Sequence, residues 1–203
     1  MKIYGSPLSP RYRRLSIAAA ELGVPVQRVE LNVAKGENRS AEYLAKNPMG
    51  KVPTFEDDDG WTLWESCAVL AHWGEKYAER KLFPAHARER ADALRWMFWA
   101  SAHLDPAVGL LYTQKFLGPM QGRTPDENVV KAATTELGRF MPVLESHLAQ
   151  RPWMLGEQFS LVDVALGASV DTLLRKELGF DAGLYPRTVA WRARLIARPS
   201  WTA

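Results

Sequence analysis

The chain has 203 residues, of which 47% are hydrophobic and eight are tryptophan, so it can form a substantial core in one large or two small domains. A net charge of +3 is weak evidence for nucleic-acid binding, and no apolar run approaches the roughly 20 residues that span a bilayer. A single cysteine, Cys67, excludes an intrachain disulfide and a cysteine-rich zinc site. The N-terminus also lacks the pattern of a secretory signal, so we expect a cytoplasmic globular protein. We also expect the protein to hold no metal.

The first thirty residues predict a strand, a helix and a second strand. Residues 2–5 and 24–31 favour the strands. Between them, Ser9 and Pro10 form a preferred N-cap and N1 pair for a helix, and Gly23 ends it. The length matches a βαβ unit.

Three arginines, Arg11, Arg13 and Arg14, follow the predicted cap of the first helix. The helix is amphipathic, so we interpret them as a solvated face or as a rim that attracts anions rather than as a nucleic-acid site.

Residues 47–53, with the sequence NPMGKVP, follow a short helix predicted near residues 41–46 and form a loop that presents its backbone. Pro53 has no amide donor and pushes Val52 toward the extended region, so the Val52 backbone is free to pair with a peptide outside the fold. A cis Val52-Pro53 bond is a candidate that spacing alone does not decide.

A hairpin and a helix complete the first half of the chain. Residues 54–56 and 61–64 favour strands on either side of a turn that ends at Gly60. Ser66 is the predicted N-cap of the next helix, which would place Glu65 and Ser66 beside unpaired amides at its positive end. The first 80 residues therefore predict the order βαβαββα.

Beyond this point the strand signals end and long helical patterns begin. We predict a first domain over residues 1–79, a linker over 80–85 and an all-helical domain over 86–203. The expected helices span residues 86–117, stopped by the Gly-Pro pair at 118–119, and then 125–150, 162–178 and 186–197.

This order, with Ser9-Pro10 at the first helix, Pro53 opening the third strand and Glu65-Ser66 at the last helix, resembles the thioredoxin-like domain of the cytosolic glutathione transferases. Residues 159–163, with the sequence FSLVD, are similar to the capping box and staple of that family's second domain. The resemblance is to serine-dependent bacterial members and to phi- and theta-like members. It implies an α/β thioredoxin-like domain, an all-α domain that contributes an electrophile pocket, a role in detoxification, and a homodimer.

The resemblance also implies that Ser9 stabilises the thiolate of glutathione, which would be a co-substrate. A role for Ser9 as a helix cap alone is the alternative. Tyr4 is out of register with the catalytic tyrosine of other classes, and we interpret Ser6 as a turn residue and Tyr12 as a helix-surface aromatic.

Binding roles follow from the same resemblance. Val52 would pair its backbone with the cysteinyl part of glutathione just before Pro53, and Glu65 and Ser66 would hold the γ-glutamyl end. Arg39 and Lys51 would meet the glycyl carboxylate, although the chain has Asn38 and Arg39 where the plant-like class has histidine and lysine, and surface solvation explains Arg39 equally well.

The electrophile pocket is harder to predict, because an apolar and aromatic stripe at helical spacing usually belongs to a core. Its candidate residues are Leu8, Trp99, His103, Tyr112 and Phe116.

Three functions compete. The first is a transferase that attacks an apolar electrophile, with peroxidase or dehalogenating activity as variants. The second is a non-catalytic interaction or regulatory module with the same architecture. The third, disulfide exchange, is disfavoured because Ser9 takes the place of the reactive cysteine.

Overall fold

A four-stranded mixed sheet forms the centre of the first domain in the computed structural model, which describes residues 1–202. Strand β1 (Lys2–Gly5) pairs in parallel with β2 (Gln27–Glu30) and antiparallel with β3 (Thr54–Glu56). β3 pairs antiparallel with β4 (Thr62–Trp64), which gives the order β2-β1-β3-β4. The helices of this domain are α1 (Pro10–Leu22), α2 (Ala41–Lys46) and α3 (Ser66–Lys76), with 3-10 turns at Val33–Lys35, Glu37–Arg39 and Ala78–Arg80. The predicted order βαβαββα is confirmed.

Local sequence signals fix the ends of α1. The Ser9 side chain accepts a hydrogen bond from the Tyr12 amide, Pro10 occupies N1, and Gly23 adopts φ +67° at the C-cap. Tyr12, in contrast, is not on the surface as predicted: it is 3% exposed. Its ring lies so close to Gly5 that a Cβ there would come within 2.2 Å of the ring, because the end of β1 packs directly on the helix.

The second domain is helical throughout. Its first long segment begins at residue 87 and continues to residue 120, past the predicted stop at residues 118–119. Its α-helices are α4 (Ala87–Trp99), α5 (Asp105–Tyr112), α6 (Gly118–Met120), α7 (Glu127–His147), α8 (Leu161–Leu173) and α9 (Pro186–Ile196), with 3-10 turns at Leu148–Gln150, Lys176–Leu178, Ala182–Leu184 and Pro199–Thr202.

Two π-helical segments explain why the long helix continues. Ala100–Leu104 and Thr113–Leu117 connect α4, α5 and α6. Pro106 and Pro119 each lie in the first turn after a π segment, where a missing amide donor is tolerated. Proline therefore does not end the helix here.

Helix α8 is the centre of the molecule. Every one of its residues is buried, and α1 of the first domain packs against it together with α4, α5 and α9. The predicted capping box is present: the Ser160 amide and hydroxyl both donate to the Asp163 carboxylate. Asp163 also accepts from the Met154 amide and from the Trp191 indole, each within 2.9 Å, so one buried carboxylate fastens α8 to its neighbours.

Among the described residues, no helix is long and apolar enough to cross a membrane.

Candidate active site

A cleft of about 1140 Å³ lies between the two domains. The first domain contributes the loop after β1, the segment after β2, the loop before β3 and the start of α3. The second domain contributes mainly α5, with Ser101 and Ser169 beside it. Such an inter-domain cleft with polar and apolar walls is a common form of ligand site.

Ser9 lines this cleft at the start of α1. Its Oγ accepts from the Tyr12 amide at 3.3 Å, while its own amide donates to the Ser6 carbonyl at 2.8 Å. The hydroxyl proton is not used in the cap, so it remains available to an acceptor in the cleft. Capping and donation into the cleft are therefore compatible.

Val52 lies in the same cleft, immediately before β3. The Val52-Pro53 bond is cis. Neither the amide nor the carbonyl of Val52 takes part in a backbone hydrogen bond within residues 1–202. The neighbouring Lys51 carbonyl is held by Tyr43 and Asn47, at 2.6 and 2.8 Å, so the loop is fixed while the Val52 backbone is left open.

The predicted N-cap of α3, Ser66, is wrong by one residue. Glu65 takes the cap position with φ +67° and makes no side-chain capping bond, and Ser66 is the first residue of α3. A positive φ in a non-glycine residue is strained and is often found at functional sites. Ser66 is not the N-cap because its hydroxyl is engaged elsewhere: it accepts from the Arg14 guanidinium at 2.8 Å.

Arg14 is the largest departure from the sequence interpretation, which placed it on a solvated face or a rim. Its side chain is fully buried, and Nη2 donates to both carboxylate oxygens of Asp105 at 3.1 Å. It also donates to Ser66, to Ser169 at 3.3 Å and to Cys67 at 3.4 Å. Burial disfavours the cation, but the Asp105 carboxylate outweighs this and raises the Arg14 pKa above its usual value. The guanidinium therefore carries a permanent charge at the junction of the two domains.

No local pattern identified this network. Arg14 lies on the same helix face as the buried Ala18, four residues later, and this spacing was the available sign that Arg14 is buried. Its partner Asp105 lies 91 residues away.

Arg39 and Lys51 lie at the exposed rim of the cleft. Arg39 donates to the Met49 carbonyl at 3.3 Å, and the buried Asn38 donates to the Gly50 carbonyl at 2.6 Å. Asn38 thus braces the loop, and both cations remain accessible to an anion.

The five candidates for the electrophile pocket separate into two groups. Leu8 and Tyr112 line the cleft. Trp99 and His103 do not, since their rings lie against Phe140 of α7 at 6.3 and 5.1 Å. Phe116 lies behind the cleft wall, where it stacks on Tyr112.

Ordinary helix geometry accounts for this difference. A helix turns about 100° per residue, so His103 and Tyr112, which are nine residues apart, lie on roughly opposite faces of the same helix. Asp105 faces the first domain, which turns His103, two residues earlier, to the opposite side. The wall of the cleft on α5 includes residues that the sequence interpretation missed, namely Pro106, Val108, Gly109 and Thr113.

Comparison with known proteins identifies relatives of the whole chain. The family model described as glutathione S-transferase, N-terminal domain, matches residues 1–75, and the corresponding C-terminal domain model matches residues 102–199. A probable glutathione S-transferase GSTF2 of Oryza sativa subsp. japonica is 32% identical over 201 residues, covering 98% of this chain and 93% of the relative.

Solved structures are similar over the same length. Glutathione transferase F7 from Populus trichocarpa superposes with a TM-score of 0.89 at 25% identity, covering 99% of this chain and 95% of that one. A glutathione S-transferase-I bound with lactoylglutathione superposes with a TM-score of 0.87 at 28% identity, covering 99% and 96%. Both domains of the fold are thus matched together.

Proposed function

Because the chain belongs to the glutathione S-transferase family of enzymes, we propose that it binds glutathione in the inter-domain cleft, stabilises its thiolate with Ser9 and adds that thiolate to an apolar electrophile. The observation that carries this proposal is the Ser9 hydroxyl, whose oxygen caps α1 while its proton remains available to the cleft. This geometry supports a serine-dependent mechanism.

The energy required is within reach of this site. A cysteinyl thiol has a pKa of about 8.5, and lowering it by about two units requires roughly 2.7 kcal/mol of preference for the anion. A charge-assisted hydrogen bond contributes about 1.5 to 3 kcal/mol, and a helix N-terminus about 0.3 to 1 kcal/mol. Ser9 supplies the first and the start of α1 the second.

The remaining polar groups fit the three parts of the tripeptide. The open Val52 backbone, just before Pro53, would pair with the cysteinyl unit. Glu65 would accept from the γ-glutamyl ammonium, and the Ser66 amide, at the positive end of α3, would donate to its carboxylate. At the rim, Arg39 and Lys51 would attract the glycyl carboxylate.

The electrophile would lie against the apolar part of the wall. Leu8 from the first domain and Pro106, Val108 and Tyr112 from the second form this surface. Leu8 is 46% exposed, so its side chain offers apolar surface to a ligand in the cleft.

Replacing Ser9 by alanine tests the proposal. We expect Ser9→Ala to lower the rate of conjugation at least tenfold while the affinity for glutathione stays within a few-fold, because the lost proton donor acts on the thiolate and not on the rest of the peptide. The direct measurement is the ultraviolet absorption of the thiolate of bound glutathione as the pH is varied.

Ser40→Ala is the matched control. Ser40 caps α2 in the same way, accepting from the Tyr43 amide at 3.2 Å, but it does not line the cleft. The control should lose a helix cap and keep the thiolate band. Bound glutathione that ionises in Ser9→Ala as it does in the unmodified protein would overturn the role of Ser9, and absence of binding would favour a non-catalytic module.

We also propose that two copies form a homodimer, the assembly expected from the family resemblance. Exposed aromatic side chains on both domains support it: Trp61 is 46% exposed before β4 and Phe98 is 67% exposed on α4. The mass in solution at micromolar concentration tests this, and a monomeric mass would rule it out.

A further inference from the structure

One hydrogen bond from the second domain reaches the residue that precedes Ser9. The Tyr112 hydroxyl donates to the Leu8 carbonyl at 3.1 Å. That carbonyl belongs to the same peptide unit as the Ser9 amide, and the amide donates to the Ser6 carbonyl at 2.8 Å. The planar Leu8-Ser9 peptide is therefore held at both of its polar edges, once by its own loop and once by α5.

The tyrosine is itself firmly positioned. Its side chain is 4% exposed, and its ring stacks on Phe116 with centroids 5.0 Å apart and planes at 17°. The Arg175 guanidinium lies 4.2 Å from the centroid of the Phe116 ring, so the ring that supports Tyr112 is itself in contact with a cation. Burial raises the Tyr112 pKa, which keeps its hydroxyl protonated as a donor near neutral pH.

Two points on one face of α5 contact the beginning of α1. Asp105, seven residues before Tyr112, binds the Arg14 and Arg11 guanidinium groups. Residues seven apart are two turns apart on the same helix face. The position of α5 thus determines both where α1 lies and how the peptide that enters it is oriented.

We propose that Tyr112 is a positioning residue, which orients the Leu8-Ser9 peptide and thereby aims the Ser9 hydroxyl at the sulfur of glutathione. This inference rests on the proposed function of Ser9. It assigns to the second domain a part in forming the thiolate, separate from the contact that the Tyr112 ring would make with an electrophile in the same cleft.

The geometry makes the direction of the effect clear. Ser9 Oγ keeps one bond to the Tyr12 amide, at 3.3 Å, which is long for a hydrogen bond and constrains the side chain weakly. Without the Tyr112 bond, the peptide before Ser9 is held only at its amide edge, by the Ser6 carbonyl, so it can tilt about that bond and the hydroxyl spends less time directed into the cleft. The thiolate is then less stabilised, whereas the contacts at Val52, Glu65 and Ser66 do not change.

The test is Tyr112→Phe, which removes the hydroxyl and keeps the stacked ring. We expect the fraction of bound glutathione that is ionised at a pH below its midpoint to fall about fivefold, in line with the loss of one neutral hydrogen bond. The affinity for glutathione should stay within twofold. Because no electrophile is present in this titration, any effect of Tyr112 on electrophile binding does not enter.

Two further variants distinguish positioning from general damage. Tyr185→Phe changes another buried tyrosine of the second domain, 8% exposed and stacked on Phe180, and should leave the titration unaltered. In a Ser9→Ala background, Tyr112→Phe should cause no additional shift, because the group that it positions is absent.

The outcomes separate the two proposals. If Ser9→Ala abolishes the low thiolate pKa and Tyr112→Phe leaves it intact, the positioning role is wrong and the function of Ser9 stands. An additional shift in the double variant would show that Tyr112 acts independently of Ser9 and would overturn the inference. If Ser9→Ala has no effect, the proposed function fails and the inference fails with it.

Discussion

At the scale of single residues, Arg14 has the most unusual environment in the described chain. A fully buried guanidinium is compatible with a stable fold only if it is paired and hydrogen-bonded, and Asp105, Ser66 and Ser169 accept from its two terminal nitrogens. The same ion pair joins the first domain to the second. One side chain therefore contributes to domain docking and holds the hydroxyl of Ser66 at the edge of the cleft.

Removing this cation should be strongly destabilising. We expect Arg14→Met to reduce the free energy of unfolding by about 3 kcal/mol, because the buried Asp105 loses its main partner and retains only Arg11 and Ser169. Urea unfolding followed by tryptophan fluorescence measures this. The double variant Arg14→Met/Asp105→Leu should recover part of the loss, since both charges are then absent; a double variant as unstable as the single one would contradict the explanation.

At the scale of elements, the helices differ in how closely they are packed. Gly74 in α3 lies against Phe83, and a Cβ at that position would come within 2.4 Å of the Phe83 Cβ. At Gly138 in α7, no atom beyond the adjacent backbone of its own helix lies within 4 Å of the corresponding position. One glycine is required by the packing, whereas the other only weakens its helix.

Replacing these two glycines by alanine should change the free energy of unfolding in opposite directions. Gly74→Ala should lower the free energy of unfolding by about 1 to 3 kcal/mol, because α3 must move away from the segment that follows it. Gly138→Ala should raise it by about 0.5 to 1 kcal/mol through higher helix propensity. Denaturant midpoints of the two variants measure both effects, and equal shifts in the same direction would show that packing at residue 74 is not limiting.

At the scale of the whole molecule, the two domains share a large interface. Helix α1 packs on α8, and its charged groups cross the junction: Arg13 binds Asp171 at 2.9 Å, and Glu21 binds Arg198 at 2.6 Å. The inter-domain cleft lies along the same junction. Domain docking and formation of the site are thus one structural event.

The first domain should not fold without the second. A fragment of residues 1–79 would expose the face of α1 that α8 covers and would leave the Arg14 cation without Asp105, so we expect it to lack a cooperative unfolding transition. Circular dichroism of this fragment, beside the full chain as control, measures this. The full chain should unfold in one transition by both fluorescence and circular dichroism. A fragment with native-like secondary structure and a sharp transition would contradict this expectation.

Much of the fold could be predicted because its signals are local. The Ser9 cap, the Gly23 terminus and the Ser160-Asp163 capping box each depend on residues within four positions of one another, and the structure has all three. Ser66 shows the limit of such signals, since it was predicted to cap α3. Its distant partner Arg14 engages the hydroxyl instead.

In the candidate site, too, some residues lie where local signals place them and others do not. The candidate residues of the first domain line the cleft, because short loops connect them to a four-stranded sheet. On the second domain, Tyr112 reaches it but His103 and Trp99 do not. His103 and Tyr112 lie about half a turn apart on the long helix, and the ion pairs of Asp105 with the first domain decide which face lines the cleft.

The sequence by itself thus determined the order of the elements, most of their ends and the chemistry of the first domain's loops, since caps, turns and hydrophobic period act over a few residues. Only the tertiary structure decided that Arg14 is buried, that Ser66 is engaged and that Tyr112 holds the peptide before Ser9. Those contacts join residues 52 to 104 positions apart. Their existence depends on how two domains pack, and packing is a property of the whole surface that each domain presents and not of any short pattern within it.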